Sequence, residues 1–148
     1  MPDKKTIERA KKDKREGKSA STQAGEFVRE EIDHIREGKH GARSVKQAIA
    51  IGLSKARRAG VDLKPPKKGA VSEQTRKSSI QASKKGKRHD PISQSRSKAR
   101  VKAMKQESTA AASHTALSRQ SHAAASRRSA AERSATGIKA ARTRAKNK

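Results

Sequence analysis

The stretch Lys39-His40-Gly41-Ala42-Arg43-Ser44 runs into a helix expected to begin at Val45, and it holds the residues with the clearest chemistry in this chain. A helix start leaves backbone N–H groups unpaired and carries the positive end of the helix dipole, so phosphate oxygens bind there. Lys39, Arg43 and Lys46 place further positive charge around that point, and Gly41 lets a backbone come close. The same residues also describe an ordinary capped helix start after a polar turn, with Ser44 and Gln47 three apart as a capping box.

A second group, Lys55, Arg57 and Arg58, falls at the far end of the same helix. These side chains could grip a second phosphate strand or only complement the negative end of the dipole, and the sequence leaves both open. A third group, Arg119, Arg127, Arg128, Arg133, Arg142 and Arg144, alternates with runs of alanine near the C-terminus. All twelve are candidate phosphate contacts. Such contacts position a protein on nucleic acid without reading bases. Sequence-specific readout is not expected, because the helix from Val45 offers only Gln47 as a base-reading amide, and capping accounts for it.

Catalysis has no foothold in the pattern. The five histidines, at 34, 40, 89, 114 and 122, are scattered. His34 and His40 lie near carboxylates but lack a ligand spacing, and there is no cysteine, so no metal or cofactor site is expected. Glu30 and Glu31 are neighbours in sequence and should diverge on a helix. The chain is therefore not expected to be an enzyme or to bind a small-molecule substrate. Phe27 is the sole aromatic residue. Single-strand binders and many RNA modules stack bases on aromatic rings, so duplex DNA is preferred over RNA as the partner.

The elements that must position these groups are helical. Residues 3–16 read as a solvated, frayed helix capped by Asp3, with Ile7 its one large apolar residue. Residues 22–37 place Phe27, Val28, Ile32 and Ile35 on one face, with Ser21 or Thr22 as cap and Gly38 as stop. Residues 45–59 carry Val45, Ala48, Ile49, Leu53 and Ala56 as an apolar stripe; Gly52 invites close approach of another backbone, and Gly60 ends the helix. The short connection predicts an antiparallel pair closed by Val61 and Leu63. Such a small core is marginal alone, so a homodimer through the hairpin or a bound ligand is a natural way to complete it.

Pro65-Pro66 marks a boundary, and the Ser/Lys/Arg-rich chain after it has linker composition, with a short helix near 96–107 from Val101 and Met104. The Ala/Ser/Arg-rich end has helix propensity but nothing to bury, so it should be partly helical and should extend its helix on DNA. The expected fold is thus mostly α, a small αα-hairpin with long, largely disordered basic tails. Its parts are a basic arm over 1–20, the hairpin over 21–64, a disordered linker over 65–108 and a basic tail over 109–148.

Charge decides the partner class. The chain of 148 residues holds 39 Lys and Arg against 14 Asp and Glu, a net charge of +25. Residues 1–60 hold 16 against 9, and residues 61–148 hold 23 against 5, so the excess lies in the second part. A chain this basic is matched by a polyanion, and nucleic acid binds it by releasing condensed counterions. No stretch approaches the roughly 20 apolar residues of a membrane span. The start Met1-Pro2-Asp3-Lys4-Lys5 lacks the apolar run of a secretory signal, so a cytoplasmic, nucleoid-associated placement is expected.

The run Gly25-Glu26-Phe27-Val28-Arg29-Glu30-Glu31, then Lys39 to Ser44, then Lys46 to Gly60 resembles a bacterial domain of unknown function found in short, very basic proteins. Members of that family are described as hypothetical or as DNA-binding. The resemblance spans about residues 25–64, implies a bacterial source and brings no catalytic residues. The C-terminal tail is similar in composition to linker-histone tails. The function expected is histone-like, non-sequence-specific duplex binding by phosphate neutralisation, with compaction of DNA as its consequence. Two other expectations compete with it: an RNA- or ribosome-associated protein, and a protein-interaction hairpin whose acidic helix face (Glu30, Glu31, Asp33, Glu37) meets a partner while the tail holds nucleic acid.

Overall fold

The computed structural model describes residues 1–146 of the 148, and they are mostly helical. Seven α-helices follow one another: α1 (Lys4–Arg15), α2 (Ala20–Arg36), α3 (Val45–Arg58), α4 (Glu73–Lys87), α5 (Gln94–Met104), α6 (His114–Ser126) and α7 (Ala130–Lys146). A single 3-10 turn, Thr109–Ala112, precedes α6. Residues 1–113 form one unit and the chain from His114 another.

Serine caps start most helices of the first unit. Ser19, Ser44, Ser72 and Ser93 each accept a bond from the backbone N–H three residues on. Each satisfies one of the N–H groups that a helix start leaves without a partner. The Ser19 cap begins α2 two residues before the expected start. Gly38 and Gly60 follow α2 and α3 at φ +71° and +89°, a left-handed turn that glycine adopts at no steric cost.

The core lies where α2 and α3 meet. Phe27, Ala24, Ala56, Val61 and Ala10 are buried together, with Ile7, Leu53 and Leu63 packed against them. Phe27 is 1% exposed, and its truncation to alanine should cost about 3–5 kcal/mol. Gly52 permits the pairing: a Cβ there would stand 2.6 Å from Val28 Cα.

The helical pair does not stand alone with disordered tails, and three expectations are corrected by what covers it. First, α1 is docked on α2 and buries Thr6, Ala10 and Asp13, so it is not a frayed, solvated arm. Asp3 makes no side-chain cap for α1; its N–H binds Glu30 Oε2 at 3.1 Å. Second, residues 65–108 are not a disordered linker, because α4 packs on α3 through Ser79, Ala82 and Gly86. Third, the Thr109–Ala112 turn packs on α2 and α3, with Ala111 and Ala112 buried. Arg36 Nε holds that turn by donating to Ala112 O at 2.9 Å.

The physical reason is the same each time. Small residues let backbones approach until main chain packs on main chain, so burial does not need large apolar side chains. Gly86 lies against the Arg57 carbonyl and Gly41 against the Glu107 carbonyl, both too close to admit a Cβ. In the second unit, α6 and α7 bury no residue.

Candidate nucleic-acid interface

The Lys39–Ser44 loop is held from within. Gly41 N–H donates to Met104 O at 2.8 Å and Ala42 N–H to Ser108 O at 3.0 Å. Gln47 N–H donates to Ser44 Oγ, and Arg43 N–H donates to Gln47 Oε1. His40, Gly41 and Ala42 are buried. Gly41 thus serves close packing against residues 104–108, and the amides of Gly41, Ala42, Arg43 and Gln47 are already bonded.

The cations around the loop remain at the surface. Lys39 is ion-paired with Glu37 at 2.8 Å. That contact raises the Lys39 pKa and lowers that of Glu37, each through their shared hydrogen bond. Arg43 is largely exposed and reaches Glu107 at 3.6 Å, and Lys46 is exposed. A groove of about 320 Å³ joins this end of α3 to α5, lined by Arg43, Gln47, Ile51, Arg100, Met104 and Glu107.

The second group is turned inward. Lys55 Nζ lies 2.6 Å from Glu31 Oε2 and 3.4 Å from Glu30 Oε1. Arg57 is 8% exposed, its Nη2 donates to Lys64 O at 3.4 Å, and burial lowers its pKa. Arg58 Nη2 donates to Asp90 O at 3.1 Å. These three tie α2, α3 and the start of the next loops together. Glu30 and Glu31 do not diverge, because Lys55 from α3 is long enough to reach both.

The third group is exposed. Arg119, Arg127, Arg128, Arg133, Arg142 and Arg144 all lie at the surface of the second unit. Arg133 Nη1 donates to Arg128 O at 2.7 Å. None of the six makes an ion pair among the described residues.

A further basic surface was not singled out from the sequence. Arg96, Lys98, Arg100, Lys102 and Lys105 sit on or just after α5, all exposed and none in an ion pair among the described residues. Of the residues of α5, Met104 alone is buried. The signal was present as four cations at alternate positions from 96 to 102, spread around a helix with no apolar stripe to orient it.

Most carboxylates of the first unit are consumed by ion pairs. Arg9 holds Glu26 at 2.6 Å, Lys18 holds Asp13 and Glu16 at 2.8 Å each, Lys87 holds Asp62 at 3.3 Å, and Arg88 holds Asp90 at 2.7 Å. The acidic face expected on α2 is largely absent as a surface, since Glu30 and Glu31 are buried and Glu37 is paired.

Sequence reasoning also missed a buried polar cluster at the C-terminal half of α2. His40 Nε2 stands 3.3 Å from Glu31 Oε1, and His34 Nε2 stands 3.6 Å from Asp3 Oδ2. The two imidazole rings meet edge to face at 6.3 Å. The spacing of Glu31 and His34, one helical turn, was the available signal; His40 reaches the same place only because the loop folds back.

Among the described residues, no helix is long and apolar enough to cross a membrane. No family model, curated protein or solved structure matches this chain.

Proposed function

We propose that this protein binds duplex DNA without sequence preference, by phosphate neutralisation, and draws DNA segments together. The observation that carries the reading is the division of charge within the fold. Most acidic residues of the first unit are spent on ion pairs, whereas the cations of α5, α6 and α7 are exposed and in no ion pair among the described residues. Unpaired surface cations gain by replacing the counterions condensed on DNA, and paired ones gain little.

The proposed contacts are Arg43, Lys46, Arg119, Arg127, Arg128, Arg133, Arg142 and Arg144, joined by the α5 set of Arg96, Lys98, Arg100, Lys102 and Lys105. Lys39 and Arg43 are weaker contributors because they must leave Glu37 and Glu107. Lys55, Arg57 and Arg58 are assigned to the fold. The reading is of a binding protein rather than an enzyme. The interaction-hairpin alternative loses support, because its acidic face is largely buried or paired.

Neutralising the five α5 cations to glutamine tests the reading. Each lost phosphate contact removes about 0.9 from the slope of log affinity against log salt. The variant should bind duplex DNA more weakly, with a slope shallower by up to about 4.5. An unchanged slope would remove α5 from the interface.

A further inference from the structure

Glu31 has no solvent exposure, and neither of its carboxylate oxygens makes a hydrogen bond. Its contacts are ionic only: Lys55 on one oxygen and the His40 ring on the other. His40 Nδ1 lies 3.1 Å from Gly41 O. A carbonyl can only accept, so Nδ1 carries a hydrogen. In neutral His40 the other nitrogen, Nε2, is then a bare lone pair aimed at Glu31 Oε1 across 3.3 Å. Two acceptors facing each other in a buried site repel, and a cation between them removes the conflict. A metal ion held by Nε2 and Oε1 is one such cation.

We propose that Glu31, His34 and His40 form a site for one divalent transition-metal ion of the zinc class, which ties α2 to the loop that follows it. The ligating atoms of these three residues all lie within 4.8 Å of one another. Tetrahedral ligands at about 2.1 Å from zinc stand about 3.4 Å apart. His34, the most exposed of the three, is the ligand with most room to move toward the other two. Two imidazoles and one carboxylate favour zinc, cobalt or nickel over magnesium or calcium. The bond from His40 Nδ1 to a backbone carbonyl is the support that metal-bound histidines commonly have. Asp3 Oδ2 stands 3.6 Å from His34 Nε2, and water completes the coordination. Lys55 is the competing cation at Glu31, so a metal displaces it toward Glu30.

This site is independent of DNA binding, and its test uses no DNA. The full chain, stripped with a chelator, is titrated with zinc by calorimetry and with cobalt by visible absorption. The expected result is one ion per chain, with the ligand-field spectrum of a tetrahedral cobalt site. His34→Gln and His40→Gln should each weaken zinc binding by at least about 100-fold. Lys55→Met should strengthen it. The triple variant H89Q/H114Q/H122Q, which removes the three exposed histidines, should leave stoichiometry and affinity unchanged. Zinc at about 100 times its Kd should also raise the thermal midpoint of the wild-type chain by about 5–10 °C. The absence of saturable binding by the wild-type chain would overturn the site. Binding that survives His40→Gln but vanishes in the triple variant would overturn it equally.

Discussion

Lys55 Nζ lies 2.6 Å from Glu31 Oε2, across the contact between α2 and α3, at a carboxylate with no solvent exposure. Removing one member of such a pair strands the other charge, at a cost of about 3–5 kcal/mol when both are fully buried. Lys55 keeps some exposure, so Lys55→Met should cost about 3 kcal/mol in urea unfolding. Glu31→Leu should cost a similar amount, and the double variant less than the sum. A coupling below about 0.5 kcal/mol, the level of independent sites, would show that the pair does not hold the helices.

The glycines divide into two classes that stability measurements should separate. Gly86 and Gly41 lie against backbone carbonyls, and Gly52 lies against Val28 Cα. Alanine at any of these should destabilise by about 1–3 kcal/mol through overpacking. Gly25 and Gly137 lie within helices with nothing near a Cβ. Alanine there should stabilise its helix by about 0.5–1 kcal/mol. Equal effects in the two classes would refute the backbone packing described for α3, α4 and the 104–108 segment.

The same contrast explains what could be read from the sequence. The helical periodicity of Phe27, Val28, Ile32 and Ile35, and of Val45, Ala48, Leu53 and Ala56, marks α2 and α3 because large apolar side chains recur at the turn spacing. Ser44 and Gly60 mark where α3 begins and ends. By contrast, α4 buries Ser79, Ala82 and Gly86, residue types that also fill linkers, so its packed face has the composition of a disordered segment.

The site was legible in charge but not in pairing. Net charge located the cationic excess beyond residue 60. It could not separate Arg57, buried with its charge turned to Lys64 O, from Arg43, which is exposed at the other end of α3, about four turns away. Glu30 and Glu31 gave no hint of convergence, because the lysine that unites them is 24 residues further along. His34 and His40 meet through a loop whose course is set by residues 104–108, far outside any local motif.

Helices α6 and α7 bury no residue, and together with the turn between them they carry Arg119, Arg127, Arg128, Arg133, Arg142 and Arg144. Isolated helices of this length are marginal in water, and mutual repulsion of their cations weakens them further. Their amides should exchange hydrogen orders of magnitude faster than those of α2 and α3 in the free protein. Duplex DNA should slow exchange in α6 and α7 most, as phosphates neutralise the repulsion. Exchange in these helices that DNA leaves unchanged would remove them from the interface.

The most direct test of DNA binding by phosphate neutralisation is a salt titration of the full chain on one duplex, its single strand and a structured RNA. Neutralisation of about eight phosphates predicts a slope of about −7 in log affinity against log salt for the duplex, with duplex binding strongest at every matched salt. A clear preference for the structured RNA, or a duplex slope near zero, would contradict the account.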